Sequence, residues 1–233
     1  MSQATTLIYI HDPMCSWCYG FRPVFGQLCR ELEGRLAVSR LLGGLAPDSA
    51  DPMPDEMQRH LQDTWRRIQQ RIPGTSFNFG FWKSCRPRRS TWPACRAVIA
   101  ARQLDATLEV PMIEAIQRAY YREARNPSDD DTLIALAGDL GLDATAFAAQ
   151  LDAPDTHEQM AREIARARQI GANSFRETLI EWDRNDVLGA ESLHGMVDFQ
   201  QVPAGDSGED ERLRGLLEDE LLATIKEKQI RGK

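Results

Sequence analysis

Residues 7–23 read Leu7-Ile8-Tyr9-Ile10-His11-Asp12-Pro13-Met14-Cys15-Ser16-Trp17-Cys18-Tyr19-Gly20-Phe21-Arg22-Pro23, and their order decides the fold. Leu7 to Ile10 form a short apolar run of β-branched and aromatic residues, which suits a buried strand better than a helix. Pro13 ends it, because proline cannot donate to a ladder and biases its predecessor away from the helical region. Phe21, Phe25, Leu28 and Leu32 then recur at helical spacing. Cys15 and Cys18 therefore stand as a C-x-x-C at a strand-to-helix corner, with Cys15 near the helix start. Unpaired N–H groups and the positive end of the helix dipole favour a thiolate there. The thiolate is the nucleophile of disulfide exchange. Cys18, about one turn further on, can resolve the mixed disulfide. An exposed helix start predicts that Cys15 titrates below the unperturbed value of ~8.5 and alkylates fastest of the cysteines.

The rest of the chain sets limits. At 233 residues it can form one large domain, or a core domain carrying an insertion. Its 42% hydrophobic and 27% charged content is that of an ordinary globular protein. A net charge of −7 argues against nucleic acid or an anionic membrane as partner. The N-terminal residues carry no basic segment ahead of an apolar one, and no stretch approaches the roughly 20 apolar residues of a membrane span. The expected location is the cytoplasm. In that compartment the five cysteines are not expected to form structural disulfides. A zinc site would need a second ligand pair, and Cys85 and Cys95 are too far apart to be a C-x-x-C. No metal is expected.

After the first helix, Leu36 to Leu45 reads as a second strand, giving a βαβ beginning. From Pro47 the character changes to helices. One carries Met57, Leu61, Trp65, Ile68 and Ile72, and others start at Pro93 and Pro111. Asp129 to Asp131 load charge onto a further helix start, Asp143 caps the next, and Asp155 or Thr156 caps the last before Gly171. Strand character returns at Thr178 to Trp182 and again within residues 194–199, ahead of a final helix carrying Leu213, Leu217 and Leu221. The division this predicts is residues 1–48 and 155–233 around an all-helical insertion, residues 49–154.

This order, with Asp12-Pro13-Met14-Cys15-Ser16-Trp17-Cys18-Tyr19-Gly20-Phe21 at its head, resembles the DsbA family of thioredoxin-like proteins. More narrowly it is similar to the FrnE-like cytoplasmic branch of predicted protein disulfide isomerases. The segments at residues 41–45, 77–82, 89–102 and 115–143 read like that branch. The resemblance implies a thioredoxin-like α/β fold with a helical insertion and a thiol–disulfide oxidoreductase acting on client disulfides. It makes Cys15 the attacking and Cys18 the resolving cysteine. It implies no bound cofactor, although glutathione can serve as redox partner, and it leaves the oligomeric state open. The branch has a cis-proline after a phenylalanine just before the third strand, where it holds client backbone. Here Phe175 is followed by Arg176. A non-proline cis bond costs roughly 3–4 kcal/mol, so this peptide is expected to be trans and client binding weakened. Two other readings stay open: a glutathione-using relative such as a kappa-class transferase or chromene-carboxylate isomerase, and a non-enzymatic adaptor.

Several residues near the pair carry expectations of their own. Trp17, between the cysteines, is expected to face solvent and grip a client. His11, if protonated, would favour the thiolate, and Asp12 would oppose it. Cys29 and Cys95 are expected to be inert buried thiols. Arg86, Arg88 and Arg89 read as a solvated loop. The aromatic run Phe77 to Trp82 reads as a cover packed on the insertion.

Overall fold

The computed structural model describes residues 5–34, 37–170 and 178–182. The expected second hairpin strand, the final helix and Arg176 lie outside them. Strand β1 (Thr5–His11) leads into helix α1 (Ser16–Glu31), and β2 (Ala37–Leu42) follows. Helices α2 (Asp55–Arg71), α3 (Phe81–Ser84), α4 (Trp92–Leu104), α5 (Glu109–Tyr121), α6 (Asp130–Asp139) and α7 (Ala144–Leu151) come next. Helix α8 (Pro154–Gln169) and strand β3 (Thr178–Trp182) complete the described elements.

The sheet has the order β2-β1-β3. β1 runs parallel to β2, with Thr6 opposite Ala37 and His11 opposite Leu42, and antiparallel to β3, with Thr5 opposite Trp182. A parallel pair needs a crossover, and α1 supplies it. Because side chains alternate along a strand, β1 buries both faces. Leu7 and Tyr9 pack with Phe21, Phe25, Leu28 and Leu32 of the α1 side. Ile8 and Ile10 pack with Ala167 and Ile170 at the end of α8. That two-sided burial is why the run is apolar throughout.

The helical segment has a larger core of its own. α4 is buried around most of its circumference from Pro93 to Ala101, its alanines letting neighbouring helices approach. Trp65 centres an aromatic cluster, with ring centroids 4.9 Å from both Phe77 and Trp82 and 5.5 Å from Tyr121. The run Phe77 to Trp82 packs here as expected. Met14, Cys15, Trp17, Cys18 and Tyr19 belong to this same cluster, so the redox corner is packed into the helical layer.

Some boundaries differ from the sequence reading. β2 stops at Leu42, because the chain turns at Gly43-Gly44, where Gly44 has φ +61°. α5 begins at Glu109, two residues before Pro111. α8 begins at Pro154 with Ala153 as its N-cap, in place of Asp155 or Thr156. Proline's fixed φ suits the first helical position, and Thr156 instead turns inward to donate to the Gln103 side chain at 2.7 Å. Gly44 has a tight setting as well as a positive φ. A Cβ there would lie 2.4 Å from Ile164 Cδ1 and 2.9 Å from Trp92 Nε1. Gly44→Ala is expected to cost roughly 2 kcal/mol from left-handed strain and overpacking together, measurable as a lower urea midpoint with unchanged slope.

Candidate redox site

The corner after β1 is built by Asp12. Its Oδ1 accepts from the Met14 N–H at 2.8 Å, and its backbone carbonyl accepts from the Cys15 N–H at 3.0 Å. This local turn carries the chain from strand to helix and leaves Cys15 as the N-cap of α1, at φ −80° and ψ 116°. Oδ2 faces the other way and accepts from the Leu45 N–H at 2.7 Å, the Thr91 hydroxyl at 2.6 Å and the Cys95 thiol at 3.6 Å. One buried carboxylate thus ties the cysteine loop to the segment after β2 and to α4. Burial raises its pKa, and these hydrogen bonds oppose the rise.

Cys15 and Cys18 are both free thiols in this structure, close enough to shift each other's titration. Cys15 is 7% exposed and Cys18 5%. The expected open helix start is therefore closed over, because the helical layer packs against the corner. The thiolate preference also differs from the expectation. Cys15 is pushed well up, first by its hydrogen bond to Cys18, then by burial and by the charges of Cys18 and Asp12, against a backbone hydrogen bond from Cys18 that lowers it. Cys18 is lowered, first by its hydrogen bond with Cys15, and also by Asp12 backbone and the Tyr9 hydroxyl. Of the two, Cys18 is the sulfur whose loss of a proton these surroundings favour.

Trp17 is 9% exposed, against the expected solvent-facing position, because its indole joins the helical core. His11 is buried too, with burial and the nearby cations Arg40 and Arg102 lowering its pKa to about 3. It is neutral near pH 7, so it supplies no cationic charge to a thiolate. Its ring stacks on Tyr9 at 5.4 Å, and its Nε2 meets no partner among the described residues. Arg176 lies outside the described residues. Cys95 is buried as expected, and its contact with Asp12 is an addition to that reading. Cys29 is only partly buried. Arg88 is held by an ion pair to Asp129 at 2.6 Å, while Arg86 and Arg89 are exposed.

A profile described as the DSBA-like thioredoxin domain matches residues 6–198. The chain belongs to this family. Among solved structures, it is similar to a putative protein disulfide isomerase from Nitrosomonas europaea, at 25% identity and a TM-score of 0.73, over 95% of this chain and 99% of that one. It is also similar to the cytosolic disulfide reductase DsbM from Pseudomonas aeruginosa, at 27% identity and a TM-score of 0.65, over 94% of this chain and 99% of that one. DsbM has also been solved with GSH. A 2-hydroxychromene-2-carboxylate isomerase matches at 14% identity and a TM-score of 0.55, over 98% of this chain and 99% of that one. That likeness is one of fold. No curated protein matches the chain in sequence.

In this DsbA-like site, the residues the sequence reading passed over are Tyr9, Thr91 and Tyr121. Tyr9 shares a face of β1 with Leu7 and His11, so period-two alternation alone directs it towards α1 and Cys18. Thr91 and Cys95 stand four apart at the start of α4, a spacing that places both on one helix face. Tyr121 is fully buried near the pair, stacked at 4.4 Å on Tyr19. Only the tertiary structure brings it there.

Proposed function

We propose that the chain is a cytoplasmic thiol–disulfide oxidoreductase that works through Cys15 and Cys18, with residues 1–48 and 155–233 as its redox domain and 49–154 as its insertion. The observation that carries this reading is the pair itself: two neighbouring free thiols at the start of α1 in a DsbA-like fold. The likeness to a cytosolic disulfide reductase across nearly the whole chain supports the compartment. Among the described residues no helix is long and apolar enough to cross a membrane. The structure of DsbM with GSH supports glutathione as redox partner.

In the proposed chemistry the pair reacts once it has lost one proton, which Cys18 gives up more readily than Cys15. The Cys18 thiolate takes the proton of the Cys15 thiol, and the Cys15 sulfur so freed attacks one sulfur of a client disulfide. A Cys15–client bond forms, the client S–S bond breaks, and the departing client sulfur leaves as a thiolate. Cys18, giving its proton to that thiolate, then attacks the Cys15 sulfur; the Cys15–client bond breaks and the second client sulfur leaves as a thiolate. The client leaves fully reduced, with the two electrons taken from the pair, which becomes a disulfide. Two glutathione thiols return it to the dithiol. Cys15 is assigned the attacking role because it is the N-cap, outside the helix, whereas Cys18 sits within the first turn. Cys18→Ser should accumulate mixed disulfides with clients and Cys15→Ser should not, as read by non-reducing gels and mass analysis. Equal trapping by both variants, or by neither, would remove this assignment.

A further inference from the structure

Resting on that redox reading, we propose that Thr91 is a positioning residue for the cysteine pair: its hydroxyl holds the Asp12 carboxylate, ionised and in one orientation, at the Cys15 corner.

Asp12 is fully buried, and both of its carboxyl oxygens are taken. Oδ1 accepts from the Met14 N–H at 2.8 Å, inside the turn that the Asp12 backbone carbonyl closes on the Cys15 N–H. Oδ2 accepts from the Leu45 N–H at 2.7 Å, the Thr91 hydroxyl at 2.6 Å and the Cys95 thiol at 3.6 Å. The direction of the Thr91 bond follows from its other partner. Oγ1 accepts from the Ala46 N–H at 3.0 Å, so its own hydrogen points to a different acceptor. The Asp12 oxygen lies 2.6 Å away and the Ala46 carbonyl 3.4 Å. The shorter contact has the length of a hydroxyl–carboxylate pair. A protonated carboxyl would need an acceptor for its own hydrogen. Two backbone N–H groups and a committed hydroxyl offer none, and the Cys95 sulfur is a weak one. The donor set therefore suits the anion, which burial without those donors would neutralise. Thr91 also forgoes the bond that threonine ordinarily makes at its position. It is the N-cap of α4, yet its side chain caps no helix N–H.

The titratable groups around this carboxylate are Cys15 and Cys18 of the corner, Cys95 of α4, and Tyr120 and Tyr121 of α5. His11, which precedes it on β1, is neutral near pH 7. A fixed negative charge at the corner opposes thiolate formation by the pair. The reactivity of the pair thus follows the charge on Asp12, and Thr91 keeps that charge in place.

The test is the rate of iodoacetamide alkylation of the dithiol protein, localised to Cys15 and Cys18 by mass analysis, from pH 6 to pH 9. Thr91→Val keeps the shape of the side chain and removes the hydroxyl, so Asp12 takes up a proton at higher pH. The pair in this variant should react about threefold faster than in the wild type at pH 6, and equally fast at pH 9. Thr91→Ser retains the hydroxyl and should follow the wild type at every pH. With Asp12→Asn already in place, Thr91→Val should add nothing. A residue that only packs changes the rate by one factor at every pH, whether or not Asp12 is replaced. A rate ratio that does not vary with pH, a serine variant that follows the valine one, or an undiminished effect in the double variant overturns the role of Thr91 and leaves the redox reading intact. If Thr91→Val does not fold, carbon-13 NMR of the aspartate-labelled wild type decides alone: an ionised Asp12 carboxyl at pH 6 supports the proposal, and a protonated one overturns it. A wild-type protein that forms no Cys15–Cys18 disulfide in any glutathione buffer overturns the redox reading and this proposal with it.

Discussion

Asp12→Ala is expected to destabilise the fold by about 3–5 kcal/mol, the scale for removing one side of a buried, hydrogen-bonded charge site. The carboxylate has no solvent exposure and accepts from Met14, Leu45, Thr91 and Cys95. Alanine leaves two backbone N–H groups to be satisfied elsewhere, and a buried orphan donor costs about 1–3 kcal/mol. Thr91 can turn to the Ala46 carbonyl, which its hydroxyl already approaches at 3.4 Å. Leu45 and Met14 have no such second acceptor recorded among the described residues. Asp12→Asn, which retains one amide oxygen, should cost less. It should also speed alkylation of the cysteine pair, because the Asp12 charge raises both Cys15 and Cys18. Urea unfolding at pH 7 and iodoacetamide kinetics measure the two effects. A stable Asp12→Ala protein would mean that the three segments meeting at Asp12 are held by apolar packing alone.

The same carboxylate marks what the sequence could and could not reveal. The strand–corner–helix unit was legible because its causes are local: an apolar run, a proline, and a helical stripe from Phe21 to Leu32. The parallel β1–β2 pair followed from the single helix between the strands, and the aromatic cover over the insertion followed from its composition. The surroundings of the cysteines were not legible. Asp12 reaches donors 33, 79 and 83 residues away, and no spacing rule connects them. The expectation of an exposed Cys15 and an outward Trp17 treated the helix start as a free end. Burial there is decided by the helices that follow β2, through Trp65, Phe77, Phe81 and Tyr121 in a common core with Met14 and Trp17. The N-cap of α8 failed for a smaller reason: Asp155 and Thr156 are good caps by type, but Pro154 fixed the first turn, which puts the cap at Ala153, two residues before Asp155.

Acidification should weaken the protein through His11. Its folded pKa of about 3 lies below the ~6.5 of an unfolded histidine. Between these values the unfolded chain binds one more proton than the folded one, so lowering the pH favours unfolding. The contribution is fully retained above pH ~6.5 and falls by up to about 1.4 kcal/mol per pH unit on the way to pH 3. From pH 6.5 to pH 4 this sums to about 3 kcal/mol. Asp12 acts with the opposite sign. Its raised pKa means the folded state takes up a proton first as pH falls, which offsets part of the loss in the lower part of the window. His11→Phe separates the two. Phenylalanine retains an aromatic ring beside Tyr9, removes an Nε2 that has no partner among the described residues, and cannot be protonated. Urea midpoints at half-unit steps from pH 7 to pH 4 should fall steeply for the wild type and much less for the variant. Parallel curves would show that His11 gains a proton in place without unfolding, and that the cations Arg40 and Arg102 do not hold it neutral.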